Sequence, residues 1–210
     1  MEKKFILTDK FVINSFGIKL FQIKCTKSFK YAQKGDFGGY VEKEGNLDQE
    51  NDAWVFGNAR VFGNARVSSN ARVSGDAWVS DNARVSGDAW VSDNAWVSSN
   101  AWVFGDARVF GNARVSGDAW VSGNAWVSGD ADIENDNEHC GFDGFGSCNR
   151  HTHAYMTKEK KVEIICGCFR GSIEEFEKKV EETHSGTVYE KQYKSIINVI
   201  KIKFGLTDFT

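Results

Sequence analysis

Six side chains in the last third of the chain are of the types that bind metal or serve as nucleophile and base: Cys140, Cys148, His151, His153, Cys166 and Cys168. Thiolates and imidazoles gathered in fours make structural zinc sites, usually from closely spaced Cys pairs. Cys166-Gly-Cys168 is a C-x-C within a strand-like run, which places both thiols on one side, and His151 and His153 share a face of the preceding strand. Cys140 and Cys148 are spaced more widely than a zinc pair, in a glycine-rich stretch. The simpler expectation is that Cys166 and Cys168 are small buried apolar side chains and that the protein holds no metal or other cofactor. A Cys–His hydrolase would need an oxyanion loop and a third partner, and neither is visible. Acid–base catalysis needs a group that titrates near neutrality, and no histidine precedes His139.

The second distinctive set is tryptophan and arginine. All seven tryptophans, at positions 54, 78, 90, 96, 102, 120 and 126, fall in one stretch that contains no Lys and no Glu. A repeat of six positions them. Alanine recurs every six residues from Ala53 to Ala131, giving 14 units, and Val follows each alanine by two residues until Ile133 closes the series. Between them stands Trp or Arg, with Asp132 the one departure. Strand alternation sends Ala and Val to one side and Trp or Arg to the other. Gly-Asp, Gly-Asn or Ser-Asn then supplies a bend. Four residues of strand and two of corner predict a prism with three hexads to the coil. Fourteen hexads make nearly five coils, about 22 Å tall at the spacing of stacked strands. A helix fails this test, because a period of six drifts round a 3.6-residue turn.

Residues one coil apart then stack. One face carries Trp54, Arg72, Trp90, Arg108 and Trp126; the second Arg60, Trp78, Trp96, Arg114 and Asp132; the third Arg66, Arg84, Trp102 and Trp120. Trp beside Arg suits cation–π stacking, and both types are enriched where proteins bind each other. Trp54, Arg72, Trp90, Arg108, Trp126, Trp78, Trp96, Trp102 and Trp120 are therefore the expected interface, with a second copy in a dimer or trimer as first claimant.

A one-dimensional stack has open ends that need covering. Residues 1–40 hold two strand-like runs, KKFILT and GIKLFQIKC, around the turn-like NSFG, and read as an N-terminal β cap. The repeat domain spans 41–135. Residues 136–150 read as a linker loop. Residues 151–210 read as a ββαα module: a hairpin around KEKK, a helix opened by the capping box of Ser172 and Glu175, and a second helix with Tyr189, Tyr193, Ile196, Ile197 and Ile200 on one face. The fold class expected is mainly β, a parallel β-helix with an α+β module after it.

The V-S-G-D-A-W pattern resembles the hexapeptide repeat, whose members form left-handed parallel β-helices. The segment KGDFGGYVEKEGNLDQENDAWVFGNARV is similar to the leading part of a subgroup common in phage, prophage and gut-bacterial genes. In it Val41 and Leu47 continue the inward register back from Ala53. The C-terminal module resembles one found in phage-type proteins. Well-known hexapeptide proteins are trimeric acyltransferases that use acyl-CoA and a histidine on a loop between coils. Here no loop interrupts the repeat, and the three coil histidines of the related carbonic anhydrases are missing.

A net charge of −3 argues against a general nucleic-acid binder, although Trp/Arg ladders could stack on bases. No apolar run spans a bilayer, and MEKKFILTDK lacks a signal-peptide core, so a cytoplasmic protein without membrane contact is expected. Five cysteines, an odd number, read as thiols. Together these features point to a non-enzymatic binding or scaffold protein of phage or prophage type, acting on an unidentified host protein or complex. The alternative is a divergent acyltransferase whose base comes from the C-terminal module.

Overall fold

The computed structural model describes residues 2–207. Two-residue strands recur every six residues from Trp54–Val55 to Asp132–Ile133. Each as far as Arg114–Val115 pairs in parallel with the strand 18 residues on, for example Trp90 with Arg108 and Val91 with Val109. Three stacks of strands result, one for each face of a parallel β-solenoid of about five coils. Every alanine and valine of the register is buried, and Val41 and Leu47 begin it, paired with Val61 and Val67. Burying a valine is worth roughly 1.5–3 kcal/mol. Because each coil touches only its neighbours, that gain accrues coil by coil.

The corners explain the absence of proline. The first corner residue of each hexad from 57 to 129 takes a positive φ, which is Gly at most corners and Ser69, Asp81, Asp93 and Ser99 at four. Asp81 and Asp93 offset part of their strain, since each Oδ2 accepts a backbone N–H from the next coil, of Ser99 and Gly111, at 3.1 Å. Gly87 has φ +68°, and a Cβ there would lie 2.8 Å from the Gly105 nitrogen and 3.0 Å from its oxygen. Gly87→Ala should therefore lower the unfolding free energy by about 1–2 kcal/mol, the usual cost of left-handed backbone at a residue with Cβ. An unchanged urea midpoint would refute this account of the corner.

An antiparallel hairpin, β1 (Phe5–Ile13) and β2 (Lys19–Cys25), joins β3 (Phe37–Val41), which pairs in parallel with Arg60–Val61. Gly38 and Gly39 let β3 pass beneath the first coil, where a Cβ on either would stand 2.6 Å from a backbone oxygen of Val55 or Ala59. Orphaned carbonyls of the first coil are satisfied by side chains. Lys4 Nζ donates to the Ala53 oxygen at 2.9 Å and Asn46 Nδ2 to that of Ala65 at 2.8 Å.

At the other end the sequence reading needs correction. Residues 136–150 are not a linker loop: a short 3-10 turn, Asp136–Glu138, leads into a strand, β4 (His139–Phe145). It pairs with β5 (Arg150–Met156), followed by β6 (Val162–Cys166) and β7 (Phe169–Ser172), in one antiparallel sheet. The C-terminal unit is thus four strands and two helices, rather than ββαα. Helix α1 (Ile173–His184) opens on the expected capping box, with Ser172 Oγ accepting the Glu175 N–H and Glu175 Oε2 accepting that of Ser172. Helix α2 (Val188–Lys203) buries Tyr193, Ile196, Ile197 and Ile200.

This sheet has two working faces. Ala154, Ile164 and Cys166 pack on the helices, whereas Tyr155 and Ile165 join the solenoid core. The second face closes the last coil, helped by an antiparallel bridge between Ala131 and Thr157. Among the described residues no helix is long and apolar enough to cross a membrane.

Candidate functional site

The outward ladders have the composition and register that the repeat predicts. Trp54, Arg72, Trp90, Arg108 and Trp126 are consecutive partners on the first face. Arg60, Trp78, Trp96, Arg114 and Asp132 follow on the second, and Arg66, Arg84, Trp102 and Trp120 on the third. Guanidinium groups stand over the rings as cation–π geometry requires, with Arg72 4.7 Å from Trp90, Arg114 5.0 Å from Trp96 and Arg108 5.1 Å from Trp126.

A second rule was present in the sequence and missed. Each indole after Trp54 leans onto the residue sixteen positions earlier, on the preceding coil. Where that residue is Ser, the indole N–H donates to its hydroxyl: Trp90 to Ser74 at 2.9 Å, Trp96 to Ser80 and Trp102 to Ser86 at 3.1 Å. Where it is Phe, the rings meet edge to face, as in Trp78 with Phe62, Trp120 with Phe104 and Trp126 with Phe110. The indoles thus clip one coil to the next, and much of their area is spent inside the molecule.

Exposure along the ladders is accordingly uneven. Trp78, Trp90, Trp96 and Trp102 are half-buried, Trp126 is 36% exposed and Trp120 51%. Trp54 is a correction: expected at the interface, it is 1% exposed, packed against Phe5 and Phe29 of the N-terminal cap. It offers a partner nothing. Phe16, at the tip of the first hairpin, lies against Phe62, Trp78 and Trp96 and covers part of the second face. The open aromatic surface is at the C-terminal end of the third face, where Trp102, Phe104 and Trp120 pack within 4.7–6.2 Å of one another.

The six Cys and His residues do not assemble. Cys166 ends β6 on the helix face, where its sulfur accepts from Thr152 Oγ1 at 3.3 Å. Cys168 is exposed beyond the turn at Gly167, so the two thiols do not share a strand face as expected. Cys140 packs toward the helices, its thiol pushed up to about 11 by burial, and Cys148 is exposed. All five cysteines are free, and among the described residues no three His, Cys, Asp or Glu are placed to hold a metal.

His151 and His153 instead meet His139, on the solenoid side of the sheet. His153 Nδ1 lies 2.9 Å from the Trp126 oxygen, the carbonyl left open where that stack of strands ends. A carbonyl only accepts, so the proton sits on Nδ1 and Nε2 accepts from His139 Nδ1 at 3.1 Å. Burial depresses the His153 pKa to about 3, and burial also lowers that of His139. Asp136 Oδ1 accepts the open N–H of Trp120 at 2.7 Å. These groups terminate the coil.

His151 Nδ1 meets Asp143 Oδ1 at 2.8 Å, beside a cleft of about 410 Å³ that Trp126 and Arg150 also line. Such a pair resembles the base of an acid–base site, and it holds the Asp143 carboxyl below its usual range. The free Nε2, however, is buried without a partner among the described residues, on the side of Gly141, where a Cβ would stand 3.0 Å from it. A substrate must come within about 3 Å of a general base, and this nitrogen is buried away from the cleft's open space.

The protein is therefore a repeat β-solenoid with both ends closed by side chains and a flanking sheet. Residues 53–69, 65–81, 77–93 and 107–123 match the family model described as the YdcK beta solenoid repeat. A search of curated proteins found no match.

Proposed function

We propose that this chain is a non-enzymatic binding protein that acts through protein contacts on the outer Trp/Arg surface. The supporting observation is the aromatic patch of Trp102, Phe104 and Trp120, open at the end of the third face although the other ladders are partly covered. Large exposed aromatic area of this kind marks interfaces. Its first occupant is a second copy of the chain. In the wider reading the protein is of phage or prophage type and occupies the surface of a host enzyme or defence complex, which rests on the resemblance of its leading segment. Sedimentation equilibrium is expected to show a dimer or trimer at micromolar concentration. Trp120→Ser should weaken that association about thirtyfold, the equivalent of ~2 kcal/mol for a hot-spot residue. A wild type that sediments at its chain mass of 23.5 kDa, or a variant that associates as the wild type does, would overturn this assignment.

A further inference from the structure

One step of the third face breaks the logic of the ladders. Arg72, Arg108 and Arg114 each have tryptophan as a register partner, and Arg60 lies between Tyr40 and Trp78. Arg84 has one too, Trp102, with its guanidinium 5.9 Å from that ring, but its other register partner is Arg66, the one place among the described residues where two ladder arginines adjoin. Like charges directly opposed on neighbouring strands repel. Both side chains are exposed, and neither guanidinium has a hydrogen-bond or ion-pair partner among the described residues.

The surroundings fit one remedy. A cleft of about 330 Å³ is lined by Arg66, Ser68, Arg84, Ser86 and Trp102. Ser86 Oγ already accepts the Trp102 N–H at 3.1 Å, which leaves its own proton to donate, and the Ser68 hydroxyl has no partner among the described residues. Two guanidiniums and two hydroxyls therefore converge with no carboxylate in the lining. We propose that this cleft binds a phosphate dianion, whose two charges match the two arginines. Trp102, half-buried at its edge, gives an aromatic wall that favours a phosphate carried on a nucleoside over the free ion. The ligand is thus a small nucleotide, and the case for it rests on the arginine pair rather than on the protein contacts proposed above, although Trp102 borders both surfaces.

The test uses the full chain with adenosine monophosphate, sodium phosphate and adenosine as probes, at constant ionic strength. Calorimetry should show saturable binding of the nucleotide, phosphate about tenfold weaker, and no binding of adenosine. Arg66→Gln, which removes the repulsion without touching the cation–π contact of Arg84 with Trp102, should raise the Tm of the ligand-free protein while weakening nucleotide binding about tenfold or more. Arg114→Gln, a change to an exposed arginine on the second face, should leave nucleotide binding as it was. The proposal falls if the nucleotide does not bind, if Arg66→Gln binds it normally or lowers the ligand-free Tm, or if Arg114→Gln weakens binding equally. Phosphate binding as tightly as the nucleotide would overturn the role of Trp102.

Discussion

Acidification from neutrality to about pH 5 is expected to cost the wild-type protein about 2 kcal/mol of unfolding free energy through His153 alone. In the unfolded chain this imidazole takes its proton near 6.5, and in the folded one only near 3. The unfolded state therefore binds the proton first. The stability due to the neutral ring is complete above the unfolded value and is lost as the pH falls toward the folded one. His139, also depressed by burial, adds in the same direction. Asp136 and Lys203 face His139, and His151 faces His153, but none reverses the cost of charging a ring that is 1% exposed. Paired carboxylates begin to contribute only at lower pH, so the window isolates the histidines. Urea melts at four or five pH values on wild type and His153→Asn would settle it. The variant should be less stable at neutrality, yet its pH slope should shrink by about one proton. An identical slope in both would mean that His153 is not the group responsible.

Trp54→Ala and Trp120→Ala should differ by several kcal/mol, although the two residues hold equivalent places in the repeat. Trp54 is enclosed by Phe5 at 6.3 Å and Phe29 at 5.3 Å between ring centroids, and its removal leaves a cavity in the junction between cap and coil. Such truncations cost about 3–5 kcal/mol. Trp120 is half in water, and its truncation should cost the isolated chain less than about 1 kcal/mol. Denaturant midpoints measured below the association threshold would show this directly. Equal losses would return Trp54 to the same standing as the rest of the ladder.

The pattern of success and failure in reading this sequence has a physical explanation. In the solenoid, the hexad alone determines each side chain's surroundings, because a residue meets only its own coil and the two adjoining. The inward Ala/Val register, the three hexads per coil and every ladder partner were legible for that reason. Trp54 was not, since its cover comes from the non-repeating residues Phe5 and Phe29, with which it shares no spacing rule. The strand β4 was missed because Gly141 and Gly144 within it, and Gly146 just after it, give the segment the composition of a loop. Pairing with β5 and the capping of the last coil override that preference. Cys166 and Cys168 misled for a local reason: the chain turns at Gly167, with φ +62°, between them. The candidate surface was legible as residue types, but its division into clipped and open tryptophans depended on the sixteen-residue offset between coils.

The closure of both ends has a consequence for how such a chain can change its length. Lys4 and Asn46 at the first coil, and Asp136 and His153 at the last, each meet an orphaned backbone group on one particular face. Duplicating a whole coil would move the two caps apart by one strand spacing, about 4.8 Å, and leave their mutual orientation nearly unchanged. Gaining or losing a single hexad would instead rotate one cap against the other by about a third of a turn. Every cap would then face the wrong stack. Growth by gene duplication is therefore quantised: the fold accepts whole coils and rejects fractions of one, although the repeat written in its sequence is only six residues long.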